Sequence, residues 1–199
     1  RAKINPILGV TVEHNGNGTR YQRYWGGEFQ GMVGNNFAIY GSLRDNHLNK
    51  EILAEPTYLT PTVGGAYKRT NDGTSADFSE MRGGVTYDWK WGNIGLVKNH
   101  VVWGDNYNGA NIFSGRTPSF PMIVFNLKPA KWFELNYFHG FLTSNVLDST
   151  DYYVGTDNEL RYRYRNKYLA ANMVTITPVS GLNIGLGNSI IYAERTVKA

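Results

Sequence analysis

Tight turns and long polar stretches alternate along this chain, separated by runs of about ten residues in which apolar and polar side chains alternate. The tight turns fall at Gly34-Asn35-Asn36, Trp91-Gly92-Asn93, Pro129-Ala130-Lys131 and Pro178-Val179-Ser180-Gly181. The long stretches run from Leu48 to Glu80, Asp105 to Ser119 and Val146 to Asn166. In a meander of antiparallel strands, successive connections lie at opposite ends. This order therefore gathers the tight turns at one end and the long loops at the other. A soluble sandwich has no reason to sort its loops in that way. Up-and-down barrels of the bacterial outer membrane do, with short periplasmic turns and long outer loops.

Nine strands are expected, at about Lys3–Glu13, Arg20–Val33, Phe37–Leu43, Met81–Trp91, Ile94–Trp103, Phe120–Lys128, Trp132–Leu142, Lys167–Thr177 and Leu182–Tyr192. His14 to Thr19, with Asn15-Gly16 inside it, marks a hairpin turn, because Asn-Gly tolerates positive φ. The Met81 strand alternates most cleanly. Met81, Val85, Tyr87, Trp89 and Trp91 fall on one side, and Arg82, Thr86, Asp88 and Lys90 on the other. A dry core behind both faces does not suit that division, whereas a lipid face, an aromatic belt and a wet lumen do. The same split recurs between Ile123, Phe125 and Leu127 and their neighbours Asn126 and Lys128. It recurs again between Phe133, Leu135, Tyr137 and Phe141 and their neighbours Glu134 and Asn136. Strands this long exceed the usual globular length of about 5–6 residues and match the about 9–11 that a tilted membrane strand needs.

Composition narrows the classes further. Apolar residues make up 41% of the chain, and no run of about 18 of them is present, which excludes a helical membrane protein but not a barrel. The 14 Tyr, 9 Phe, 5 Trp and 23 Gly suit interfacial girdles and curved sheets. With no Cys there is neither a disulfide scaffold nor a thiolate metal site. The net charge of +4 is mild and scattered, fitting an anionic partner such as an acidic polysaccharide better than nucleic acid. The chain has no initiator Met and no signal peptide, and its polar C-terminus lacks a terminal aromatic. With an odd strand count, where single-chain bacterial barrels use even numbers, this reads as an internal piece of a larger barrel.

Signals for catalysis are poor. His14, His47, His100 and His139 fall in separate segments without metal-ligand spacing, and no cofactor is expected. Ser114 lacks a nucleophile elbow. Glu28, Asp88 and Glu134 all have inward parity, but nothing in the sequence sets the separation that a glycosidase pair requires. The run from Asn71 to Asp77 with Glu80 lacks EF-hand spacing and reads as a polar turn. More suggestive is Arg161-Tyr162-Arg163-Tyr164-Arg165. As an extended strand it would present three guanidinium groups on one side and two phenols on the other, a pattern suited to an acidic glycan. Between Lys98 and Pro121, two prolines rule out central strand pairing, so a loop here would fold inward and constrict a barrel.

The run from Lys98 through Trp103-Gly104 to Ser114 and Pro118-Ser119-Phe120-Pro121, followed by Phe138-His139-Gly140, resembles the core of Wzi-like capsule-assembly proteins. The likeness is sharpest from about Tyr87 to Phe141 and weaker onward to Tyr192. It implies an outer-membrane β-barrel that holds capsular or other exopolysaccharide, lectin-like rather than catalytic. The chain departs from the pattern at Asn99, where the resemblance implies Asp, and it lacks the helical plug and about half the strands implied by the family.

The expectation is an all-β, antiparallel, up-and-down transmembrane β-barrel region spanning residues 1–199, a portion of a larger barrel, in the bacterial outer membrane. The expected role is non-enzymatic attachment or assembly of surface polysaccharide. Lys98, His100, Trp103 and Arg116 would form the glycan site, with Arg161, Arg163 and Arg165 as outer contacts. Its partners would be outer-membrane lipid, an acidic surface polysaccharide and other outer-membrane proteins, with no nucleic acid and no metal. The competing readings are a subunit of a secretion or motility machine, a diffusion porin, and a soluble all-β lectin.

Overall fold

The alternating runs become long antiparallel strands. The computed structural model describes residues 1–16, 18–49, 67–69, 75–104, 112–115, 117–142, 144 and 146–193, with strands, turns and bends but no helix among them. The strands are β1 (Ala2–Asn15), β2 (Gly18–Val33), β3 (Phe37–Leu48), β4 (Tyr67–Arg69), β5 (Ala76–Trp89), β6 (Gly92–Asn99), β7 (Phe120–Ala130), β8 (Phe133–Leu142), β9 (Leu147–Val154), β10 (Leu160–Tyr164), β11 (Lys167–Val179) and β12 (Leu182–Ala193). All nine expected strands are present, and β4, β9 and β10 are additional. The protein is thus all-β and antiparallel. Its strand order has two ends, β1 and β12, and closure of the sheet on itself is not detected among the described residues.

Several boundaries differ from expectation, each for a physical reason. The turns after β7 and β11 fall at Lys131-Trp132 and Ser180-Gly181, later than the prolines that suggested them. Pro129 and Pro178 lie inside their strands, where the register shifts between Leu127 and Ala130 and between Ile176 and Val179. A bulge accommodates a residue that has no N–H to give the ladder. Similarly, β3 runs on to Leu48 and β5 begins at Ala76, although their sequences turn polar there. Asp45 lies opposite Ser79 and His47 opposite Asp77, and hydrogen-bonded side-chain pairs support the ladder where apolar alternation has stopped.

The chain divides into two compact units, Arg1–Asp88 with Gly95–Phe120, and Trp89–Ile94 with Pro121–Ala199, so that β6 contributes to both. In the first unit β1, β2, β3 and β5 are successive antiparallel neighbours, with β4 on β5. Their register aligns one face. Ile4 pairs with Phe29, Val33 with Phe37, Phe37 with Tyr87, Ile39 with Val85, and Leu43 with Met81. All of these side chains are exposed. Toward the far end of β3 and β5 the opposite face is covered, and it carries Arg44, Asn46 and Glu80 beside Phe78 and Val97, with Arg82 partly exposed.

In the second unit β7, β8, β11 and β12 follow one another, and β9 and β10 form a separate two-stranded hairpin. Phe125 pairs with Tyr137, Leu127 with Leu135, Leu135 with Val174, and Val174 with Leu186, along one apolar face. Met122, Phe138, Leu169 and Ala171 lie buried on the other face, which turns polar at Asn126, Lys128, Glu134 and Asn136. Aromatic groups mark both ends of the strands. Trp89 meets Trp91 edge-on at 5.5 Å and Trp132 meets Phe133 at 5.8 Å beside the tight turns. His139, Phe141, Tyr168 and Tyr192 cluster at the far end, with ring centroids 5.3–6.0 Å apart.

Candidate functional site

The covered face of the first unit holds a charged network centred on Glu80, which is only 4% exposed. Even-numbered residues of β5 face this side, so Phe78, Glu80 and Arg82 stand in one row. Arg44 is the cross-strand partner of Glu80 on β3, and its Nη2 lies 3.5 Å from Glu80 Oε2. Arg82 Nε lies 3.0 Å from Glu80 Oε1, and His100 Nε2 lies 3.3 Å from the same oxygen. A buried carboxylate persists only when paired, and this one has three cationic or polar partners. The Arg44 guanidinium also stacks 5.0 Å above the Tyr24 ring, which lies across Gly9. A Cβ at position 9 would come within 2.3 Å of that ring, so glycine there allows the close approach.

His100 reaches Glu80 because β6 ends at Asn99, which releases the next residue from the strand's parity. His100 Nδ1 donates to the Thr117 carbonyl at 2.7 Å, and Ser119 Oγ donates to the Met81 carbonyl at 3.1 Å. Val102 bridges Ser114, and Val101 is buried beneath. The expected fifth strand therefore stops four residues short of Trp103, and Thr117 and Ser119 beyond it bond to His100 and to the Met81 backbone. Asn99 is bonded to the Tyr40 side chain and also accepts the backbone N–H of His100 at 2.9 Å.

The remaining predicted site residues do not converge on this point. Lys98 follows exposed Leu96 in strand parity, away from buried Gly95 and Val97. Trp103 packs edge-on against Phe113 at 5.0 Å, and its backbone N–H donates to the Phe113 carbonyl. Arg116 lies outside the described residues, as does most of the run from Asn71 to Asp77; Asp77 itself pairs with His47 at 2.7 Å. The Arg161–Arg165 run does form a strand, but the hairpin supplies each guanidinium with a carboxylate. Arg161 pairs with Asp157, Arg163 with Asp151 at 3.6 Å and Arg165 with Asp148 at 3.9 Å. Arg163 also lies 5.5 Å above the Tyr153 ring. Glu28, Asp88 and Glu134 have separate local partners in Asn5, Thr86, and Lys128 with Asn136.

Sequence reasoning placed Glu80 only beside a polar turn. The signal that would have found it is parity. Extending the Met81 strand toward the N-terminus puts Glu80 directly in line with Arg82 on the polar face.

No family model matches the chain, and no curated protein or solved structure does so either.

Proposed function

We propose that this chain forms part of the wall of a transmembrane β-barrel in the bacterial outer membrane. Its role there is non-enzymatic attachment or assembly of surface polysaccharide, as the Wzi-like resemblance implies. The observation that carries the reading is the inversion of the two faces in the first unit. Met81, Val85, Phe37, Ile39 and Leu43 are open, while Glu80 is buried and His100 and Arg44 are largely covered. Water favours the opposite arrangement, and lipid outside with a polar interior favours this one. On β3 the open apolar stretch from Phe37 to Leu43 spans about 20 Å along the strand. Polar pairs begin immediately beyond it, at Asp45 and Ser79. Aromatic groups at both ends of the second unit's strands support the same orientation, since girdles flank the lipid band of such barrels.

The deciding experiment runs heat-modifiable gel mobility and polysaccharide retention on one detergent-purified sample. A detergent-dependent, heat-modifiable fold that retains surface polysaccharide is the expected result. A folded barrel that retains none would shift the assignment to a subunit of an outer-membrane machine. A chain that stays monomeric and soluble without detergent would overturn the membrane reading.

A further inference from the structure

Above the open apolar stretch, β2, β3 and β5 enclose a groove of about 630 Å³. It is lined by Arg23, Trp25, Asp45, Asn46, His47, Asp77, Phe78 and Ser79. None of these residues belongs to the Glu80 network or to the site expected from sequence. We infer that this groove binds an uncharged hexopyranose unit of a surface glycan, an inference that rests on the polysaccharide reading above and supplies its ligand class.

Register assembles the groove in two rungs. Trp25 lies opposite Asp45, which lies opposite Ser79; Arg23 lies opposite His47, which lies opposite Asp77. Trp25 is 63% exposed, so its indole is open to a ligand. A pyranose has an apolar C–H face that packs on such a ring and a rim of hydroxyls that needs paired donors and acceptors. Trp25 and Arg23 are two residues apart on β2, about 6.6 Å along the strand, close to the span of one sugar ring.

The polar groups are already held in place, which lowers the ordering cost of binding. Ser79 Oγ donates to Asp45 Oδ1 at 2.5 Å, and His47 Nδ1 meets Asp77 Oδ1 at 2.7 Å. Among the described residues each carboxylate keeps a second oxygen for a hydroxyl, and His47 keeps Nε2. Buried Asn46 is fixed by Gln22 at 2.9 Å, and Arg23 makes no ion pair among the described residues, leaving its fork as a donor.

Charge decides between sugar classes. The groove sets one guanidinium and one imidazole against two carboxylates, so it carries no excess of positive charge to favour a polyanion. This distinguishes it from the Arg161–Arg165 hairpin, where an acidic glycan would first have to displace an aspartate from each guanidinium.

The test uses protein purified in an amine-oxide detergent, because sugar-headed detergents would compete for the groove. Retention is measured on immobilised dextran, mannan and galactan, with alginate as the polyuronate, and the fold of each variant is checked by heat-modifiable mobility. The expected result is retention of at least one neutral polymer, weakened about tenfold by Trp25→Ala and by Asp45→Asn but unchanged by Trp132→Ala at the tight-turn end. Trp25→Phe, which keeps an aromatic platform, serves if Trp25→Ala does not fold, and retention then stays within about threefold of the parent. Binding that survives both Trp25→Ala and Asp45→Asn overturns the groove but leaves the polysaccharide reading standing. Salt-sensitive retention of alginate alone does the same. Retention of no polymer overturns both. Trp25-dependent retention by a protein that needs no detergent supports the groove and removes the membrane reading.

Discussion

Introducing arginine at Val85 and at its neighbour Thr86 separates lipid from water at the open face, because the two environments predict opposite rankings. Val85 is 46% exposed on the apolar face opposite Ile39, and Thr86 points to the covered polar face beside Asp88. Val85 lies four residues before Trp89 at the tight-turn end, about 13 Å along the strand. For a tilt of about 40°, that is about 10 Å into a lipid band about 25 Å tall. An arginine that deep costs about 2–4 kcal/mol, a loss of about 30- to 900-fold in the folding equilibrium. At Thr86 the guanidinium reaches Asp88 in a polar interior, and the expected cost is below about 1 kcal/mol. In water the ranking reverses. Val85→Arg at an exposed position would change stability by no more than about 0.5 kcal/mol, and Thr86→Arg on the covered face would be the damaging change. The assay is urea unfolding of the protein in phospholipid vesicles, followed by tryptophan fluorescence and heat-modifiable mobility. Equal effects at the two positions, or a larger one at Thr86, would refute the lipid-face reasoning.

Three further outcomes are expected. Glu80→Ala leaves Arg44, Arg82 and His100 without their shared carboxylate. It lowers stability by about 2–4 kcal/mol in the same unfolding assay, at the lower end because both arginines are partly solvated. Gly34→Ala forces a side chain onto a turn residue with φ of 64° and costs about 1 kcal/mol, although the added methyl meets no neighbour within 4 Å. Arg163→Gln breaks an exposed pair with Asp151 and changes stability by less than about 1 kcal/mol. Alginate retention by that variant, measured beside the parent, stays unchanged if the paired hairpin is not a glycan contact.

Much of the fold was legible because strand periodicity is a local property. A residue's face follows from the count along the strand, so Met81, Val85 and Tyr87 could be assigned together, and the register aligns them with Leu43, Ile39 and Phe37. The order of tight and long connections was legible for the same reason, since turn chemistry is written in a few adjacent residues. Extents were less so. The polar ends of β3 and β5 are held by cross-strand pairs such as His47 with Asp77, and no local pattern announces a partner 30 residues away. The prolines at 129 and 178 looked like turns because a bulge depends on the strand opposite.

The candidate sites depended on tertiary structure almost entirely. Sequence grouped Lys98 and His100 in one glycan site. The chain instead leaves the strand after Asn99, sending the imidazole to Glu80 while Lys98 keeps the parity of the exposed face. Sequence offered Arg161, Arg163 and Arg165 as bare guanidinium groups, but the hairpin gives each one an aspartate. The groove at Trp25 joins three strands whose residues are far apart in the chain. Sequence by itself determined which side chains share a face, because that needs only the two-residue repeat of one strand. Which charges meet and where a cavity opens were decided by folding, because each depends on distances between strands that the chain brings together only in three dimensions.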